Sequence, residues 1–104
     1  MSKYLIQGNY VGDGIAGLRA DGGEKRLAAA TAAVKSVGCT LDCFYYAFGE
    51  TDLFGIIDAP DEAAAFNFSL LINSSGAVSV RLTPLFDPSA IEGGASGSYT
   101  PPGQ

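Results

Sequence analysis

An α+β domain is predicted for this 104-residue chain by three observations. Short runs of alternating apolar and polar residues mark strands, longer stretches with apolar residues at helical spacing mark helices, and the middle two strands are joined by the few residues Gly49-Glu50-Thr51. The resulting order is βαββαβ, which folds as a four-stranded antiparallel sheet with two helices on one face.

The first strand is Tyr4-Leu5-Ile6-Gln7-Gly8-Asn9-Tyr10-Val11, rich in aromatic and β-branched residues and stopped by Gly12-Asp13-Gly14. Asp13 has the character of a helix cap, and Ile15 and Leu18 fit one helical turn before a break at Asp21-Gly22-Gly23. Leu27, Ala30, Thr31, Val34 and Val37 then recur at helical spacing, giving a first main helix from about 24 to 37, ended by Gly38. A second strand is expected from about 39 to 48, and a third from Asp52 to Ile57, paired with it as a hairpin. Asp58 is read as the cap of a second helix with Pro60 in its first turn, the helix reaching about Asn73 with Ala64, Phe68, Leu71 and Ile72 on its apolar stripe. Ala77 to Thr83 alternates cleanly as the fourth strand. This is the ferredoxin-like sandwich, expected over residues 1–92, with a flexible Gly/Ser/Pro-rich tail at 93–104.

Strict alternation assigns the two faces of the sheet. Cys39, Leu41, Cys43, Leu53, Ile57, Val78, Val80 and Leu82 fall on the helix side, leaving Phe44, Tyr46, Phe48, Phe54 and Ile56 on the open side. An open face that apolar exceeds what monomers usually tolerate, so dimerisation through the sheet is expected, with those five residues as the interface. The low share of charged residues, 16% against 47% hydrophobic, also favours a homodimer or higher oligomer.

Composition excludes several functions. The formal net charge is −5, and beyond Lys35 the only basic residue is Arg81, which argues against nucleic acid as a partner. No run is long and apolar enough for a membrane span, and Met1-Ser2-Lys3 leads into strand alternation, so a cytoplasmic protein with no membrane partner is expected. With no His and no Trp, the chain lacks the commonest general base, the commonest zinc and copper ligands and a histidine for haem iron. Cys39 and Cys43 on one strand would lie roughly 13 Å apart, beyond the limit of about 7 Å for a disulfide. They are read as small apolar side chains, and no metal or other cofactor is expected. The glycines of Gly12-Asp13-Gly14-Ile15-Ala16-Gly17 sit in the wrong supersecondary context for a phosphate loop.

Tyr10 followed by Gly14-Ile15, Arg26 in the helix, Gly38, Phe44-Tyr45, Gly49-Glu50-Thr51-Asp52 and Ala59-Pro60-Asp61 form an ordered set of spacings over about residues 4 to 92. This set resembles the GYD domain family of small bacterial and archaeal proteins. Thr51 occupies the Tyr position of the family's Gly-x-Tyr-Asp signature, and Asp58 stands where a Glu is usual. The resemblance implies a ferredoxin-like, dimeric α/β-barrel type of fold and no established biochemical activity.

Four polar residues are candidates for ligand binding: Tyr10, Arg26, Tyr45 and Asp52. Asp52, at the start of a strand, either pairs with Arg26 to orient a ligand or accepts backbone N–H bonds and anchors the hairpin. No catalytic residue is assigned. The expected function is a non-enzymatic module that binds a small molecule or a partner; the alternative is a cofactor-free oxygenase or isomerase using Asp52 and a tyrosine to move protons.

Overall fold

A computed structural model describes residues 2–92, 94 and 96–104. Strand β1 spans Ser2–Tyr10, β2 Thr40–Tyr46, β3 Leu53–Ala59 and β4 Val78–Leu85. Helices α1 (Gly14–Asp21) and α2 (Gly23–Ser36) lie between β1 and β2, and α3 (Glu62–Ser74) between β3 and β4. The sheet order is β2-β3-β1-β4, with every neighbouring pair antiparallel. This four-stranded α+β arrangement is the one expected of a ferredoxin-like fold.

The break at Asp21-Gly22-Gly23 falls where the sequence puts it, since Gly22 adopts φ 87°, a conformation that costs a glycine little. What precedes it is a complete helix of 8 residues rather than one turn. A larger difference lies after β3. The strand runs on through Asp58 and Ala59, and the helix cap is Asp61, whose Oδ1 accepts from the Ala64 backbone N–H at 2.8 Å. Pairing of Ser2 with Ala59 and Lys3 with Asp58 extends the ladder past the point where local capping signals end it.

The core lies between the helix face of the sheet and helices α2 and α3. Tyr4, Ile6, Leu53, Ile57, Ala59 and Val80 from the strands meet Val34 of α2 and Ala64, Ala65 and Phe68 of α3, all buried. Asn73 ties the end of α3 to the edge strand β4: its Oδ1 accepts from the Val80 N–H at 2.8 Å and its Nδ2 donates to the Val80 carbonyl at 3.3 Å. Leu71, expected on the buried stripe, is exposed, as are Phe66 and Leu70 on the outer side of the same helix.

One irregularity reorganises both faces. In the β2–β3 ladder Leu41 pairs with Ile57 and Cys43 with Ile56, so Asp42 is an extra residue, a β-bulge. Beyond a one-residue slip every side chain changes face. Phe44 and Tyr46, expected on the open side, therefore stand opposite Gly55 and Leu53 on the helix side, and Cys43, expected beside the helices, stands opposite Ile56 on the open side. Phe54 and Ile56 do occupy the open face, joined by Leu5, Cys43 and Tyr45. Phe48 lies outside any strand and is 100% exposed.

Among the described residues beyond β4, Pro88–Ile91 form a short 3-10 turn. Phe86, Ile91 and Tyr99 are 80%, 79% and 78% exposed, so none of them packs onto the open face. Gly93 and Ala95 of the predicted tail lie outside the described residues. Among the described residues no helix is long and apolar enough to cross a membrane.

Candidate functional site

The space between sheet and helices is not completely filled. A cavity of about 110 Å³ opens beneath α2, where three alanines, Ala29, Ala30 and Ala33, line it in place of larger side chains. Its floor is Ile6, Leu53 and Val80 of the strands, and Phe68 and Ile72 of α3 close one side. The bulge supplies another wall, because it turns Phe44 inward, edge-on to Tyr46 at a ring separation of 5.1 Å. Such a lining offers water few partners, whereas an apolar group would find dispersion contacts on most sides.

Polar groups gather at one end of this cavity. Tyr10 and Arg26 line it, and both also line an outer groove of about 410 Å³ between α1 and the turn from α3 to β4. Tyr10 comes from the end of β1 and Arg26 from the first turn of α2, so the strand end and the helix start together form the mouth. Burial raises the Tyr10 phenol above its ordinary value, reinforced by Tyr46 and Asp52 nearby and opposed by the Arg26 charge. At neutral pH Tyr10 is thus a neutral hydroxyl able to donate a hydrogen bond. Tyr46, which sequence parity places on the wrong face, donates from its hydroxyl to the Gly23 carbonyl at 3.2 Å and pins β2 to the start of α2.

Of the two alternatives for Asp52, the pair with Arg26 does not form. Arg26 Nη1 lies 3.7 Å from Asp21 Oδ2, and Asp21 is shared with Lys25, whose Nζ is 3.6 Å from its other oxygen. One carboxylate of α1 is shared by two cations of α2, so the guanidinium turns toward its own helix start with its charge only partly balanced. Asp52 faces elsewhere: its Oδ2 accepts from the Tyr10 backbone N–H at 2.9 Å, while its own N–H reaches Asn9 Oδ1 at 3.0 Å and the Gly8 carbonyl at 3.0 Å. The Asp52 carbonyl in turn accepts from Ala47 N–H at 2.7 Å, closing the β2–β3 connection. Asp52 is therefore an anchor that fixes the end of β1, and with it the Tyr10 ring, against the hairpin.

Comparison with known proteins agrees with this architecture: the family model described as GYD domain matches residues 4–93. The chain belongs to the GYD domain family. No curated protein and no solved structure matches it. Within this GYD domain the segment Gly49 to Asp52 places Thr51, half-buried, in the connection that Asp52 fastens to β1.

Of the four sequence candidates, Tyr10 and Arg26 meet at the cavity, Asp52 stands behind Tyr10, and Tyr45 is on the opposite face of the sheet, 68% exposed. Tyr45 is displaced by the same bulge that brings Tyr46 in. The alanines of α2 escaped notice because small apolar residues carry no chemical signal of their own; only the room they leave reveals them.

Proposed function

We propose that this GYD domain is a non-enzymatic small-molecule-binding module that works as a homodimer joined through the open face of its sheet. The observation that carries the binding reading is a cavity with apolar walls whose mouth holds Tyr10 and Arg26. A few orienting polar groups at the rim of an apolar pocket are the usual composition of a ligand site. The proton-transfer reading has less support, because the Asp52 carboxylate is engaged by the Tyr10 N–H and is not among the residues lining the cavity.

The dimer reading rests on the open face. Leu5, Cys43, Phe54 and Ile56 are each half-buried at its centre, with Tyr45 more exposed beside them. Polar groups edge this patch: Arg81 Nη2 donates to Gln7 Oε1 at 3.3 Å, and Lys3 stands between Asp42 and Asp58. An apolar centre with a polar rim is the anatomy of a protein interface, and a patch presented by each copy suits two-fold pairing.

Isobutanol titrated into the isotope-labelled full chain tests the binding reading. Amide and methyl shifts at Ala30, Val34, Leu53 and Val80 should move together and saturate; shifts confined to the open face would place the apolar site elsewhere and sink the cavity assignment.

A further inference from the structure

The mouth of the cavity narrows the class of ligand, an inference that rests on the binding reading above. We infer that the natural ligand is a monocarboxylate with a compact, branched apolar body, the body in the cavity and the carboxylate at Arg26 and Tyr10. Cavity size sets the first limit. An apolar cavity of about 150 Å³ accepts benzene, so one of about 110 Å³ suits a smaller branched body of about three or four carbons.

The charge of the head group follows from the positive excess and the free N–H donors that the loose Asp21 pairing leaves at the mouth. Among the described residues the Arg26 guanidinium makes no hydrogen bond, and its closest acidic neighbour, Asp21 at 3.7 Å, is shared with Lys25. The trio Asp21, Lys25 and Arg26 carries two positive charges against one negative. A planar fork of donors beside an apolar cavity matches a carboxylate, which accepts two parallel N–H bonds from one guanidinium. Tyr10, a neutral phenol, adds an O–H donor on the same rim.

The outer groove sets the second limit. Asp13 and Asp21 both line it, beside Gly14 and Gly17. A dianionic phosphate would meet these carboxylates at close range, whereas a single negative charge can sit on Arg26 and leave only a neutral portion in the groove. A molecule larger than the cavity therefore extends past Tyr10 as an uncharged chain.

The test is calorimetric titration of the full chain with three probes of one skeleton: isovalerate, isopentyl alcohol and isopentylamine. Isovalerate should bind about tenfold or more tighter than the alcohol, with the amine weakest, because an Arg–carboxylate pair strengthens only the acid. Arg26→Gln should bring the acid to parity with the alcohol, and Tyr10→Phe should weaken the acid more than the alcohol. Circular dichroism confirms that each variant is folded. If the alcohol or amine matches the acid, the carboxylate assignment is overturned while the cavity stands. An acid preference that survives in Arg26→Gln overturns it too. If none of the three binds, the binding reading itself fails.

Discussion

Asp52 is bonded to two successive residues of β1: its carboxylate accepts from the Tyr10 N–H, and its own N–H donates to the Asn9 side-chain oxygen. These contacts close the gap between the last residues of β1 and the first of β3. They also set the direction of the Tyr10 ring, and therefore the shape of the cavity mouth. Replacing Asp52 with Ala leaves the half-buried Tyr10 N–H without its charged acceptor, so the variant should lose about 1–3 kcal/mol in a denaturant titration. An unchanged midpoint would mean that the carboxylate serves something other than the fold. Two other residues give a pH signature. Burial raises the Cys39 thiol above its ordinary value of 9.0, with Asp61 and Asp58 adding to the shift, and burial likewise raises the Tyr10 phenol above 10.0. Both groups are neutral when protonated, so the unfolded chain ionises first and stability falls as pH climbs from the unfolded values through the folded ones. Midpoints measured across the alkaline range should decline, less steeply in Cys39→Ala; an identical slope in the variant would show that Cys39 carries none of the effect.

At the scale of elements, the bulge in β2 is what divides the legible from the illegible. Helix and strand order, the break at Gly22 and the end of α2 before Gly38 follow from periodicity and glycine placement, and each is a local matter. The extra residue Asp42 is not local. Its neighbours alternate without a visible interruption, and only the register against β3 and the pull of Lys3 on its carboxylate distinguish it. One inserted residue exchanged Phe44 and Tyr46 for Cys43 and Tyr45, and so turned an interface expectation into part of the cavity wall. The cap of α3 was missed for a related reason, since Asp58 and Asp61 look alike as caps and the pairing of Asp58 with Lys3 and Thr40 in the sheet decides between them. The corrected register predicts different outcomes for two similar substitutions. Phe54→Asp, on the open face, should leave circular dichroism unchanged and convert the proposed dimer to monomer in sedimentation. Phe44→Asp, half-buried against the core on the cavity wall, should destabilise by about 2–4 kcal/mol. Dissociation without loss of stability in Phe44→Asp would restore the uninterrupted alternation.

For the molecule as a whole, the two faces of one sheet are covered differently. The helix face carries a core that is complete near Ile57 and Ala59 and incomplete under the alanines of α2, while the open face holds the proposed contact with a second copy. Natural cores are packed to crystal-like density, so a space left beneath three alanines costs stability that a bound ligand can return. Filling it from the protein side should separate packing from binding. The decisive measurement compares wild type with Ala30→Leu, reading thermal midpoint and affinity for isopentyl alcohol, an apolar-bodied probe whose uptake does not depend on a charge at Arg26. If the cavity is the binding site, Ala30→Leu melts at or above the wild-type temperature and binds the alcohol at least about tenfold more weakly, because added methylenes occupy the space that the probe would take. Undiminished binding in a folded Ala30→Leu would contradict the account.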